Sequence, residues 1–423
     1  MASDARPPQP KAILRGHRTA VQVAAFVRNN ERLLTGDSEG FVIAWDLTIM
    51  RPKAVWQAHT ESILGIEGWG TDRIITHGRD NRLIVWRLAA EDEQFLSTTL
   101  PLDPAPEVRP WPWMIHSLEV NSLNFCAFSY CPASPKIGPV TAADEILLAV
   151  PAPKISSESI NIIHLPSCTV KHTVKPPALT SGQDAHKASG MAMSLSLFHH
   201  PATHYLTLIT AYERGSVAVV QLGPNSSTWT MTYVSTPHNH PILSVDVSPD
   251  KSFFLSSGSD GIIAKHPVPP CPSSQQPLTD PIKVVNTHHS GQQSLRIRSD
   301  NLVFATSGWD AKIRVYSVKT MNELAVLRWH QLGCYAVAFA FVDPNPPPVS
   351  PPPQPEQQPQ PPKDGIVIPE EDCEDDSWEV IPPAPPQKKG EMTVREKRIH
   401  HAKTAHWIAA GGKDGRVSLW EVY

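Results

Sequence analysis

The chain has 423 residues, with 37 Lys and Arg against 41 Asp and Glu and a formal net charge of -4. That balance argues against a globally basic nucleic-acid binder, and no apolar run reaches the roughly 18 residues a spanning helix needs. Six cysteines (Cys126, Cys131, Cys168, Cys271, Cys334, Cys373) include no C-x-x-C pair and no disulfide-like spacing, which predicts a reducing, intracellular compartment.

In chain order, residues 1–10 (MASDARPPQP) read as a flexible start without the apolar core of a signal peptide. Lys11 to Leu14 is a short strand with no repeat in front of it. LLTGDSEGFVIAWDL, Leu33 to Leu47, then sets a Gly/Asp/Ser/Gly turn between two runs rich in β-branched and aromatic residues, which is a strand, a turn and a strand. The same grammar recurs at Ile74 to Leu88, Phe304 to Val318 and Trp407 to Val422. Each copy places an acid six residues before an aromatic: Glu39 and Trp45, Asp80 and Trp86, Asp310 and Tyr316, Asp414 and Trp420. A histidine lies upstream of each: His17, His59, His288, and His330 in the opening of the last unit.

A histidine, a strand pair, an acidic turn and a terminal aromatic, repeated about every 40 residues, resembles the WD40 repeat, in which each unit is one four-stranded propeller blade. Three weaker units fill the middle, at Ser122 to Pro166, Met191 to Leu222 and His240 to Val268, with His164, Val220 and His266 where tryptophan is expected. The expected fold is therefore all-β: a single seven-bladed WD40 β-propeller over 11–423. Its blades fall near 14–47, 56–88, 114–166, 190–222, 238–268, 284–318 and 326–423, and the N-terminal strand closes the ring so that no sheet edge or apolar blade face stays open.

The recurring polar residues are expected to form buried structural networks. These are His17, Thr35, Glu39 and Trp45; His59, Thr76, Asp80 and Trp86; His288, Thr306, Asp310 and Tyr316; and His330, Asp414 and Trp420, where Ala410 takes the hydroxyl's place. Recurrence blade after blade argues for packing and polar satisfaction rather than catalysis. The middle blades are expected to rely on plain packing. No phosphate-binding glycine loop, nucleophile elbow or H-E-x-x-H motif occurs, and His400, His401, His406 and Cys373 lack zinc-site spacing, so no catalytic residue, cofactor or metal is assigned.

Two excesses interrupt the repeat. One contains RPWPWMIHSL, Arg109 to Leu118, whose Trp111 and Trp113 either anchor a partner or plug the edge of the third blade, the second being favoured because exposed tryptophans are costly. The other, 343–403 inside the last blade, runs from proline/glutamine through an acidic tract with Trp378 to a basic stretch. Proline at this density removes backbone donors, so the segment is expected to be disordered or ordered by a partner, as a docking motif or a spacer.

The first two blades, the WPWMIHSLEVNSLNFCAFS block, SESINIIHLP and the proline-interrupted seventh blade together resemble the fungal ASTRA-associated protein 1 family and, more distantly, the animal G-protein β-subunit-like protein 1. The resemblance implies a non-catalytic subunit of the nuclear ASTRA assembly, linking chromatin remodelling to maturation of phosphatidylinositol-3-kinase-related kinases. It implies as partners a giant kinase-like subunit, RuvB-like AAA+ ATPases and the telomere-length-regulation cochaperone trimer, with no direct nucleic acid and no membrane. A histone-tail reader and a ubiquitin-ligase substrate receptor remain alternatives, although Trp45-Asp46-Leu47-Thr48 and Trp86-Arg87-Leu88-Ala89 lack the arginine of the D-W-x-R ending. A G-protein β role would need an N-terminal coiled-coil helix that Met1 to Pro10 cannot form.

Overall fold

Period-two apolar patterning and turn residues between the runs make each unit a four-stranded antiparallel meander. The computed structural model describes residues 8–104, 109–122, 125–136, 138–152, 159–175, 189–271, 276–343 and 392–422. After β1 (Ala12–Arg15), blade one holds β2 (Val21–Val27), β3 (Arg32–Asp37), β4 (Phe41–Asp46) and β5 (Arg51–Gln57), and blade two β6 (Ile63–Trp69), β7 (Arg73–Gly78), β8 (Arg82–Arg87) and β9 (Trp113–Glu119). Blade three holds β10 (Ser129–Pro132), β11 (Ile146–Pro151), β12 (Ile160–Leu165) and β13 (Thr169–Val174), and blade four β14 (Ala192–His199), β15 (Leu206–Tyr212), β16 (Val217–Leu222) and β17 (Trp229–Ser235). Blade five holds β18 (Ile242–Val247), β19 (Phe253–Gly258), β20 (Ile262–Pro267) and β21 (Lys283–Asn286), and blade six β22 (Gln292–Ile297), β23 (Val303–Gly308), β24 (Lys312–Ser317) and β25 (Glu323–Arg328). Blade seven is built from β26 (Cys334–Phe339), β27 (Trp407–Gly412) and β28 (Arg416–Glu421) with β1 as its outer strand, paired from Ala12↔Leu419 to Arg15↔Arg416. This is a seven-bladed β-propeller closed by its N-terminal strand.

The core is divided among the seams between blades. Among the described residues, seven apolar clusters each join one neighbouring pair, from Trp45 and Leu33 against Trp407 and Ala336 at the closing seam to Phe254 and Val245 against Tyr233 and Ile209 between blades four and five. Close approach at a seam needs glycine where backbone meets backbone. Gly40, at φ 82 in the β3–β4 turn, would place a Cβ 2.0 Å from the His59 carbonyl oxygen of the next blade. An inner stitch adds to the packing between blades three and six. There Ser129, Ser194 and Ser244 accept the Leu197, Val245 and Leu295 amides at 3.0 to 3.1 Å, and Asp246 accepts the Ile297 amide at 2.6 Å.

Two segments differ from the sequence expectation. Trp113–Glu119 closes blade two, with Trp113 opposite Arg87, instead of opening blade three at 114, so the first excess lies between the third and fourth strands of blade two. Part of it straps blade one. Ser97 accepts the Val55 amide at 2.7 Å, and Glu93, 1% exposed, takes Arg28 at 2.5 Å and Arg32 at 2.8 Å. At the end of 343–403, the residues Val394–Thr404 form α1, which runs one residue past that range, rather than unfolded chain. Thr393 and Glu396 make a reciprocal capping box that satisfies its first amides. Trp378 and Cys373 lie outside the described residues.

Both ends of this interruption are tied to blade one. Asn30, 3% exposed, donates to the Phe341 and Lys403 carbonyl oxygens at 2.8 and 2.9 Å and accepts the Phe341 amide at 2.8 Å, while Lys403 pairs with Glu31 at 2.5 Å. Replacing the amide takes its hydrogen bond from three backbone groups. Asn30→Ala is expected to cost about 1 to 3 kcal/mol in urea unfolding and to accelerate hydrogen exchange at the Phe341 amide; unchanged exchange there would remove the clasp from the account.

Candidate functional site

Each polar network begins in the turn that joins the middle strands of a blade and ends at the aromatic of the third. In blade two, His59 Nδ1 lies 2.9 Å from Asp80, His59 Nε2 lies 2.8 Å from Thr76 Oγ1, and Trp86 Nε1 donates to the same hydroxyl at 2.8 Å. One proton arrangement satisfies the whole chain: indole to hydroxyl oxygen, hydroxyl to Nε2, and Nδ1–H to carboxylate. Burial alone would raise the Asp80 carboxyl, but the hydrogen bond and charge of His59, with the Thr60 and Arg82 amides, hold it below its ordinary value.

Blade one uses the same chain with a different acid. His17 Nδ1 meets Asp37 at 2.7 Å, His17 Nε2 meets Thr35 at 2.7 Å, and Trp45 donates to Thr35 at 2.9 Å. Glu39, expected in this place, contributes backbone only. Asp37 is fully buried and accepts the Glu39 and Phe41 amides at 3.0 Å each, so the shorter side chain already holds the place beside His17 and satisfies the turn from within.

Blade six departs further. His288 is exposed, with φ 59, and does not reach Asp310. Arg314 on β24 takes over: its two terminal nitrogens lie 3.1 and 2.6 Å from Asp310, and its guanidinium charge and hydrogen bond hold that carboxyl down against the opposing effect of burial. Thr306 and Tyr316 remain buried, with the Tyr316 ring stacked on Phe304 at 5.0 Å. In blade seven, His330 reaches Asp414 at 3.2 Å and Ser418 at 2.9 Å, and Trp420 donates to Ser418 at 2.9 Å. Ser418 is the cross-strand partner of Ala410, so the hydroxyl missing at Ala410 is supplied from the facing strand.

The middle blades do more than pack. Blade five contains a full network that sequence reasoning missed: His238 meets Asp260 at 2.9 Å and Ser256 at 2.8 Å, Ser256 meets His266 Nε2 at 2.9 Å, and His266 Nδ1 meets Tyr233 Oη of blade four at 2.8 Å. His266 can replace tryptophan because its Nε2–H donates as an indole would, and the remaining nitrogen accepts from the tyrosine. Burial lowers His266 to about 3, which keeps the neutral form this chain needs. The signal was in the sequence, as an S-x-x-x-D spacing at Ser256 and Asp260 with His238 eighteen residues upstream of the serine.

Three other places deserve chemical scrutiny. A central cavity of about 1070 Å³ is lined by the innermost strands, and one register layer of it brings together Ala25, Glu67, Tyr130, Ser196, Asp246, Arg296 and Ala338. Desolvation by these walls pushes Glu67 up to about 7 although its side chain stays accessible from the cavity, and among the described residues no nucleophile is paired with a base there. On a turn of blade three, Ser167, His164 and Glu145 make a chain of 2.7 and 3.1 Å, and none of the three lines the central cavity. Among the described residues no group of three or more His, Cys, Asp or Glu is placed to hold a metal.

Trp111 and Trp113 stand 64% and 77% exposed at the start of β9. They do not plug the third blade. β9 is the outer strand of blade two, and the core side of that strand is taken by Ile115 and Leu118, so the two indoles are left pointing to solvent. With Met114 (48%) and Phe95 (73%), they are large apolar groups that the fold itself does not use.

Two substitutions separate the possible acids of blade one. Asp37→Ala strands the His17 donor and two turn amides and is expected to cost about 2 to 4 kcal/mol in chemical denaturation, whereas Glu39→Ala stays within about 0.5 kcal/mol; the reverse order would restore Glu39. A second measurement concerns His77, fully buried with both ring nitrogens unpartnered among the described residues and lowered to about 3 by burial. The unfolded chain takes up this proton near pH 6.5 and the folded chain does not, so stability falls as pH drops below about 6.5. His77→Phe is expected to recover about 2 kcal/mol at pH 5 relative to pH 7.5, read from urea unfolding at the two pH values; an equal effect at both would contradict this.

The family profile of ASTRA-associated protein 1 matches residues 10–331. The chain is 50% identical over 417 residues to the ASTRA-associated protein 1 of Verticillium alfalfae, covering 98% of this chain and 93% of that protein. It is 42% identical over 502 residues to that of Pyricularia oryzae (99% and 98%) and 34% identical over 360 residues to that of Schizosaccharomyces pombe (78% and 93%).

Proposed function

The chain belongs to the ASTRA-associated protein 1 family, and from that premise we propose that it is a non-catalytic scaffold subunit of the ASTRA complex, working in the nucleus. In this reading it contributes to chromatin remodelling and to the maturation of phosphatidylinositol-3-kinase-related kinases. Its partners are the giant kinase-like subunit, the RuvB-like AAA+ ATPases and the telomere-length-regulation cochaperone trimer. The observation that carries the proposal is the match along nearly the whole chain to proteins named for association with ASTRA. The physical reading agrees with it. The polar chains recur as parts of the blades and their histidines, hydroxyls and aromatics are buried, while large aromatic side chains stand exposed at the outer strand of blade two, which is the arrangement of a docking body.

Trp111 and Trp113 are the residues on which this proposal is tested. Rigid aromatic anchors buried at an interface cost about 2 kcal/mol or more each when truncated. Recovery of ASTRA subunits on a tagged chain is expected to fall at least about tenfold in the Trp111→Ala/Trp113→Ala variant, with the melting temperature unchanged because neither indole packs in the core. Full recovery with the variant would move the docking face elsewhere; failure of the unaltered chain to recover ASTRA subunits would end the scaffold proposal.

A further inference from the structure

The outer strand of each blade turns one row of backbone donors and acceptors away from its sheet, and a fold has to keep that row from pairing with other chains. Five of the seven outer strands carry a lysine or arginine that does this: Arg15 in β1, Arg51 and Lys53 in β5, Lys171 in β13, Lys283 in β21 and Arg328 in β25. Neither β9 (WMIHSLE) nor β17 (WTMTYVS) contains one.

The chain itself covers β17. Leu278 forms a parallel bridge with Tyr233, accepting the Val234 amide at 2.9 Å and donating its own amide to the Thr232 carbonyl oxygen at 3.0 Å. A second strap acts on blade one, where Ser97 accepts the Val55 amide at 2.7 Å. These two amides hold the same position in their blades. Each outer strand slips by one residue against the strand beside it, the extra residue being Lys53 in β5 and Thr232 in β17, and Val55 and Val234 stand two residues further on. In β9 the extra residue is Ile115, so the equivalent amide is that of Ser117. Among the described residues no backbone group pairs with the Ser117 amide or the Ile115 carbonyl oxygen on the outer side of β9. This strand is seven residues long and leaves Trp113 and Met114 exposed.

We propose that the outer edge of β9 is a strand-addition site for an extended segment of a partner polypeptide. The segment accepts the Ser117 amide and donates to the Ile115 carbonyl oxygen, as Leu278 does at the matching groups of blade four, and its apolar side chains lie against Trp113 and Met114. An extended chain is the occupant this edge fits, because the groups left over are backbone amides and carbonyls at strand spacing, and because the two straps seat such a segment on the equivalent edges. The inference rests on the scaffold reading and deepens it by naming the backbone contact beside Trp111 and Trp113.

Hydrogen exchange tests it at a single amide. When the purified full chain is mixed with purified ASTRA subunits, exchange at the Ser117 amide is expected to slow at least about tenfold. Ser117→Pro removes that donor and no bond to β8, since the amide faces away from it, and is expected to weaken affinity for the subunits about tenfold. The exchange reading is made on the unaltered chain and stands whether or not the proline variant folds. Subunits that bind while the Ser117 amide exchanges as in the free chain overturn the strand pairing and leave the scaffold reading intact; an unaltered chain that binds no subunit overturns both. Slowing in the chain alone that grows with its concentration assigns the edge to a second copy and overturns the choice of partner.

Discussion

Everything in this molecule depends on the ring being closed. A blade is flat, apolar on both faces, and stable only between two others, so a row of seven would leave two faces and a sheet edge exposed. The chain solves this by giving its first strand to its last blade, through four paired residues from Ala12↔Leu419 to Arg15↔Arg416. The same seam carries the cluster of Leu14, Leu33, Trp45, Trp407 and Leu419, and just outside it Asn30 gathers both ends of the interruption in blade seven.

The polar networks show that the fold constrains hydrogen-bond satisfaction more tightly than residue identity. A buried indole or imidazole needs a partner, and several side chains can supply one. Asp37 stands in for Glu39, Ser418 supplies across the sheet the hydroxyl that Ala410 lacks, Arg314 replaces a histidine, and His266 with Tyr233 replaces a tryptophan. The first two and the last conserve the chain of donors and acceptors, whereas in blade six Arg314 keeps only the pairing with Asp310 and the Tyr316 hydroxyl is buried without a hydrogen bond among the described residues. His77 is the exception among the buried imidazoles, and its cost is met by the packing of blades two and three.

Blade count, closure and the intact network of His59, Thr76, Asp80 and Trp86 were legible because they rest on periodicity and fixed spacing. What was not legible depended on register or on the third dimension. A spacing of six residues pointed to Glu39, but side-chain length and the two turn amides select Asp37. The histidine spacing pointed to His288, yet a left-handed backbone carries it outward and a neighbouring strand provides the charge. The assignment of WPWMIHSL to blade three, and the plugging role for its tryptophans, failed for one reason: an insertion between third and fourth strands cannot be told from one between blades by counting residues. Helix α1 was hidden because proline content was read across a whole segment whose last dozen residues contain none.

A closed ring, local networks that hold its turns, and large aromatic groups left exposed at the outer strand of blade two describe a body whose work is done at its surface. The most direct measurement is hydrogen–deuterium exchange on the full chain alone and with purified ASTRA subunits. The account predicts added protection at Trp111 to Met114, with the inner strands unchanged. Protection confined to the central cavity or to blades four and five, with that sector still exchanging freely, would contradict it.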